Sequence, residues 1–260
     1  MIRLRTDFFA ESLGMGTSMV VLMPQAASGI GMEGADATSG SAADESGVPV
    51  LYLLHGLSDD CTIWERRTSI ERYATEKGIA VVMPEVRRSF YTDEAVGEAY
   101  WTFVAEELPR IVARTFRVST AREDTFVAGL SMGGFGAFKL ALNHPERFAA
   151  AASLSGAVDL TSMDLDWTGT LAQRVWDGRE IADTADDLLG LLGRRDPAEL
   201  PALFLDCGTE DQLITQNERF LAAAEDAGVD VTSRLRPGAH TWDFWDEGVQ
   251  DVLDWLPIRG

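Results

Sequence analysis

A serine, a histidine and an acid can together move an acyl group, and this chain holds all three in settings that would let them meet. The serine is Ser131, in Gly129-Leu130-Ser131-Met132-Gly133. A short apolar run, Thr125 to Leu130, leads into it, and a helical pattern continues to about Asn143. Glycine two positions before and after a serine, between a strand and a helix, marks a sharp turn that lifts the hydroxyl clear of a sheet. At the start of a helix, backbone N–H groups and the helix dipole favour a developing negative charge. The pentapeptide alone fits a tightly packed strand-to-helix turn equally well, so its partners must decide.

A serine hydroxyl needs a base within hydrogen-bond reach, and the base needs an acid to fix its tautomer. The chain has three histidines, so the base follows by exclusion. His144 lies on the helix that begins at Ser131, about 20 Å along it at the usual rise per residue. His55 precedes the serine, in the turn after the apolar run Val48 to Leu54, where this architecture places an oxyanion loop. His240 remains, in the loop Arg236-Pro237-Gly238-Ala239-His240, and it satisfies the order serine, acid, histidine.

The acid is expected between them, in Asp206-Cys207-Gly208-Thr209-Glu210-Asp211. Asp206 still belongs to a strand. Asp211 is favoured over Glu210 because Gly208 permits a turn that carries it over the sheet edge, and Asp159 is the second choice. Two backbone N–H groups should complete the site. They are those of Met132, directly after the serine, and of Leu57, after His55-Gly56. Asp243, Asp246 and Glu247 follow His240 and are expected to favour its protonated form.

These residues require a scaffold. Residues 2–9 and 18–23 read as an antiparallel hairpin around Gly14-Met15-Gly16. Apolar strands are expected at 48–54, 79–83, 125–130, 149–154, 202–207 and 229–235. Helices are expected at 68–76, 98–116 (kinked at Pro109), 131–143, 215–227 and 241–256. Strands alternating with helices imply an α/β fold, a mostly parallel sheet with helices on both faces and the hairpin at one edge. Ser131, His55, Asp211 and His240 then all fall at the C-terminal ends of strands, where such sheets form sites. Residues 25–47 lack large apolar side chains and read as a flexible surface insertion. Residues 159–200 are acidic and irregular, with two short helical patterns, and are expected to cap the site. Trp167 and Trp176 there are candidates to line an acyl pocket, filling the cap's own core being the alternative.

The length of 260 residues suits one domain, 1–260. A net charge of −20 argues against nucleic acid and anionic membrane surfaces as partners. Cys61 and Cys207 form no metal or redox pair. No apolar run approaches a membrane span or a secretory leader, so a cytoplasmic protein is expected. A small-molecule ester is the expected partner, self-association is left open, and the chemistry needs neither metal nor cofactor.

Several stretches together carry a resemblance. They are Leu53-Leu54-His55-Gly56-Leu57-Ser58-Asp59-Asp60 with Trp64, Ser89-Phe90-Tyr91-Thr92-Asp93, Gly129 to Gly136, Cys207 to Asp211, and Gly238-Ala239-His240-Thr241-Trp242. In order, and over nearly the whole chain except 25–47, they resemble the esterase D group of α/β hydrolases. The likeness is greatest to bacterial tributyrin esterases and cinnamoyl (feruloyl) esterases. It implies an α/β-hydrolase fold and hydrolysis of short-chain and aryl carboxylic esters. It also implies Ser131, Asp211 and His240 as nucleophile, acid and base. S-formylglutathione hydrolases share the broader group, but their loop usually has another residue at the position of His55. This favours the esterase branch.

Overall fold

The computed structural model describes residues 1–25, 47–163 and 169–258. The expected insertion at 25–47 and Trp167 therefore lie outside the described residues, apart from the ends Gln25 and Gly47. Eight strands form one sheet in the order β1-β2-β4-β3-β5-β6-β7-β8. β1 (Ile2–Ala10) and β2 (Met15–Met23) form the expected antiparallel hairpin, and β2 runs antiparallel to β4 (Ala80–Pro84). From β4 onward the sheet is parallel, through β3 (Val50–Leu54), β5 (Thr125–Leu130), β6 (Ala150–Leu154), β7 (Ala202–Gly208) and β8 (Val231–Arg236).

The apolar runs of β3, β4, β5 and β6 reflect burial on both faces. The period-2 alternation sends Tyr52 and Leu54 to one face, and Leu51 and Leu53 to the other. On the first face pack α4 (Leu108–Thr115), α5 (Met132–Asn143), α7 (Leu188–Arg194) and α8 (Ile214–Asp226). On the second pack α1 (Ile63–Arg67), α2 (Ile70–Lys77) and α9 (Trp242–Trp255). The result is the α/β-hydrolase arrangement, a mostly parallel sheet between two helical layers. Among the described residues no helix is long and apolar enough to cross a membrane.

The helix expected at 98–116 is three pieces. α3 (Tyr100–Thr102) passes into a π-helical turn, Phe103–Glu107, and then into α4. Pro109 has no N–H to give the carbonyl of Ala105 one turn back, and Arg147 Nη1 donates to that carbonyl instead. The ladder widens just before the proline, as it does where a helical hydrogen bond is lost.

Within the segment expected to cap the site, the short α6 (Thr170–Val175) and α7 differ in role. Leu188, Leu191 and Leu192 are buried in the same core as α5, so α7 belongs to the helical layer. α6 is tied to the loop after β4, because Ala95 N–H donates to the carbonyl of Val175 (2.8 Å) and Val96 N–H to that of Arg174 (2.9 Å).

Candidate active site

β5 ends at Leu130, and the chain turns into α5 through Ser131 at φ 52°, ψ −117°. A non-glycine residue seldom holds a positive φ, and such strain persists only where its surroundings impose it. Here Ser131 N–H donates to Leu154 O on β6 (2.9 Å). Ser131 O accepts from Phe135 N–H and Ala157 N–H, both at 3.1 Å. A Cβ on Gly129 would overlap the backbone of Gly133, and one on Gly133 would overlap the carbonyls of Leu54 and His55. The two flanking glycines thus let the turn close against the end of β3.

His240 Nε2 lies 3.1 Å from Ser131 Oγ, and its Nδ1 lies 2.8 Å from Asp211 Oδ2 and 3.1 Å from Oδ1. An ionised carboxylate only accepts, so Nδ1 carries the proton and Nε2 presents its lone pair to the serine hydroxyl. The Asp211 side chain is fully buried and that of His240 is 23% exposed. Burial pushes the Asp211 carboxyl up. The His240 hydrogen bond and the Leu213 N–H (2.8 Å) outweigh it, with help from the Ser155 hydroxyl, and hold the carboxyl below its ordinary range.

Two loops meet to make this pair. Thr209 N–H donates to Arg236 O and Glu210 N–H to Gly238 O, both at 2.9 Å, and the Glu210 carboxylate accepts from Gly238 N–H. Gly208 matters through space rather than turn conformation, because a Cβ there would collide with the carbonyl of Gly238. Glu210 therefore staples the loops, leaving Asp211 to face the histidine. Asp159, the second choice, binds Thr161, Ser162 and Arg219 instead. Asp206 pairs with Arg236 at 3.0 Å.

Two of the acidic residues after His240 are also turned elsewhere. Asp246 accepts from the Tyr73 hydroxyl (3.0 Å) and Ser69 N–H (3.3 Å), and Glu247 pairs with Arg236 (2.8 Å). Their proximity in sequence does not bring them to the imidazole. His144 caps the far end of α5 and stacks on Trp101, away from Ser131.

His55 fixes the loop beside the serine. Val86 N–H donates to its Nε2 (3.1 Å), so Nδ1 carries the proton and donates to the carbonyl of Gly56 (2.8 Å). Asp59 N–H donates to the same carbonyl (3.2 Å). That carbonyl and the N–H of Leu57 belong to one planar trans peptide and point in opposite directions. Anchoring the carbonyl therefore aims the Leu57 N–H the other way. A Cβ on Gly56 would lie 3.7 Å from Ser131 Cβ, which puts this peptide beside the serine. Met132 is the first residue of α5, so its N–H has no intrahelical partner.

Two contributors escaped the sequence reading. Trp245 stands edge-on to the His240 ring (4.7 Å between centroids), and its N–H donates to Ser155 Oγ (3.1 Å). Ser155 itself, at φ 48°, carries no sequence motif. Trp176, proposed above for an acyl pocket, is 5% exposed. It packs on Phe90 and donates its N–H to Asp186 (2.8 Å). The ring fills interior space and also borders a cavity of about 250 Å³ shared with Trp101, Lys139 and Asp186. Among the described residues no group of three or more His, Cys, Asp or Glu side chains could hold a metal ion.

A strained serine at a strand-to-helix turn, on this sheet, with a histidine and a buried acid from later loops, defines the class: a serine hydrolase of the α/β-hydrolase fold. Residues 39–256 match the family model described as putative esterase. The chain belongs to that esterase family and is a carboxylic-ester hydrolase. It is 25% identical over 265 residues to an acetyl esterase of Caldicellulosiruptor saccharolyticus, covering 97% of each chain. Among solved structures it resembles the Staphylococcus aureus fluorophosphonate-binding serine hydrolase F, at TM-score 0.86 and 30% identity over 98% of each chain. It also resembles an S-formylglutathione hydrolase of S. aureus, at TM-score 0.80 and 29% identity over 98% of each chain.

Proposed function

We propose that this chain hydrolyses short-chain carboxylic esters, aryl esters among them, through Ser131, His240 and Asp211. The observation that carries the reading is the unbroken path from Ser131 Oγ to His240 Nε2 (3.1 Å) and from Nδ1 to Asp211 (2.8 Å). His240 takes the serine proton as Oγ attacks the ester carbonyl. The oxyanion forms between the N–H groups of Leu57 and Met132, each worth roughly 3 kcal/mol in comparable hydrolases. The C–O bond to the alcohol then breaks, and His240 returns the proton to the departing oxygen. Water, deprotonated by the same imidazole, attacks the acyl-serine and releases the acid. The preference for a short acyl group is supported by the relative described as an acetyl esterase.

A second reading, thioester hydrolysis, is favoured by the similarity to the S-formylglutathione hydrolase. The same triad serves both. The test is a panel of p-nitrophenyl acetate, butyrate and a long-chain ester, methyl ferulate and S-formylglutathione, run on wild type and Ser131→Ala. Rapid turnover of the short esters, reduced by about three orders of magnitude or more in the variant, is the expected result. Turnover confined to the thioester would replace the first reading by the second. An unchanged rate in Ser131→Ala would remove both.

A further inference from the structure

Beside the oxyanion loop the surface opens into a cavity of about 400 Å³ whose lining includes Leu57, Asp59, Glu85, Arg87, Arg88 and Arg174. Three guanidinium groups around one opening stand out on a chain with 22 basic and 42 acidic residues. The place matters as much as the charge. Leu57 carries one of the proposed oxyanion donors, and the peptide before it adjoins Ser131.

The arginines are held by the fold. Arg174 sits on α6, whose last carbonyls accept from Ala95 and Val96 N–H. Its Nε lies 2.9 Å from Glu94, and its Nη2 donates to the carbonyl of Arg88 (3.4 Å). Arg87 and Arg88 leave β4 in a segment where Arg87 (φ 54°), Phe90 (φ 51°) and Tyr91 (φ 51°) all adopt left-handed backbone. Residues bearing a Cβ hold such angles only when their surroundings require it, and these residues cluster where function demands it.

The carboxylates at the same opening are engaged by the protein itself. Asp60, which also lines it, is bound by Thr62 through N–H and hydroxyl and by Arg66 (3.1 Å). Glu85 accepts from Cys61 N–H (3.2 Å) and Arg87 N–H (2.9 Å). Burial pushes the Asp59 carboxyl up, towards its neutral form. Arg88 makes no ion pair among the described residues, and Arg87 Nε is 4.0 Å from Glu85.

We propose that this cavity is a subsite for a carboxylate on the leaving group of the substrate, with Arg88 and Arg174 as its guanidinium contacts. The inference rests on the ester-hydrolase reading above and names the substrate class of that site: short acyl esters or thioesters of acidic alcohols or thiols. The proposed function takes an uncharged short acyl group such as acetyl, so the anion is assigned to the departing half. Guanidinium forks match a planar carboxylate. They also offset locally the repulsion that a strongly anionic protein exerts on an anionic substrate.

The test compares meta-acetoxybenzoate with meta-acetoxybenzamide, a pair of nearly equal shape differing in charge, each rate divided by its hydroxide-catalysed rate. Wild type should favour the carboxylate in kcat/KM by about tenfold, and about 0.5 M sodium chloride should shrink the preference. Arg88→Gln and Arg174→Gln should each bring the ratio towards one. Arg114→Gln, at an exposed position of α4, makes the same change in net charge and should leave the ratio as in wild type. A wild-type ratio near one with the amide still hydrolysed, or a ratio indifferent to Arg88 and Arg174, overturns the subsite alone. Failure to hydrolyse either ester removes the underlying reading.

Discussion

At the sheet edge the reactive side chains hang from loops whose backbones are bonded to one another. Ser131 is fixed by Leu154, Phe135 and Ala157, and the Asp211 and His240 loops by the pairs Thr209–Arg236 and Glu210–Gly238. The segment after β6 is attached differently. α6 meets the body through two backbone bonds, the buried Leu171 and Val175, and the Arg174–Glu94 pair, and between α6 and α7 the attachment is a buried polar node. There Lys139 of α5 lies 2.5 Å from Asp186, donates to Tyr91 O (2.8 Å) and Thr92 Oγ1 (2.9 Å), and sits over the Trp101 ring. Trp176 donates to the same Asp186. Chemistry is thus positioned largely by main chain, and this later segment largely by side chains. The first tolerates side-chain exchange except at the few positions, His55, Glu210 and the close-packed glycines among them, that hold its loops together. The second depends on single residues and can drift while the reaction stays the same.

Asp211→Asn strikes the first region at its acid and should give the largest effect. Losing the carboxylate that fixes the His240 tautomer should lower kcat by about 10⁴-fold, read by steady-state kinetics. Because the folded Asp211 carboxyl lies below its ordinary value, its ionisation adds stability above the unfolded-chain pKa. That increment is lost as pH falls through the folded value. Denaturant titrations should therefore show a larger acid-side loss of stability in wild type than in the asparagine variant, which keeps only the shares of other depressed carboxyls such as Asp60 and Glu107. An active variant with the wild-type acid limb would separate Asp211 from the mechanism.

Lys139→Met strikes the second region. It leaves Asp186 buried without its cation and should cost about 3–5 kcal/mol in chemical denaturation, raising KM more than it lowers kcat. Lys139→Met combined with Asp186→Leu removes both charges and should recover most of that loss. A double variant no more stable than the single one would show that the node does not anchor the segment.

Trp245→Phe tests whether any side chain outside the triad shares the work of the first region. The ring beside His240 is kept and the N–H to Ser155 removed. About a tenfold fall in kcat with KM unchanged is expected, the scale of one lost hydrogen bond to a group that steadies Asp211. Trp255→Phe, which packs on Phe204 at the other end of α9, should leave kcat alone. Equal effects from both would reduce Trp245 to a packing residue.

The same contrast governs what the sequence made legible. Ser131 could be read because the strand, the two glycines and the helix are contiguous, and His240 because the other two histidines have evident places elsewhere. Asp211 rests on loops that touch only in space, so Gly208 was credited with a turn when its role is close approach to Gly238. α1 is too short for a helical period to show. The Leu188, Leu191 and Leu192 spacing places α7 in the core once a helix is granted, although its acidic surroundings suggested a cap. Composition cannot distinguish a ring facing a pocket from one filling a core, and Trp176 has both kinds of neighbour, packing on Phe90, bonding Asp186 and bordering a cavity.

The most direct measurement is the mass of the protein after treatment with a fluorophosphonate, followed by mapping of the modified peptide. The account predicts a single adduct on Ser131, formed far more slowly in His240→Gln and not at all in Ser131→Ala. An adduct on another residue, or none in a preparation that still hydrolyses short esters, would contradict it.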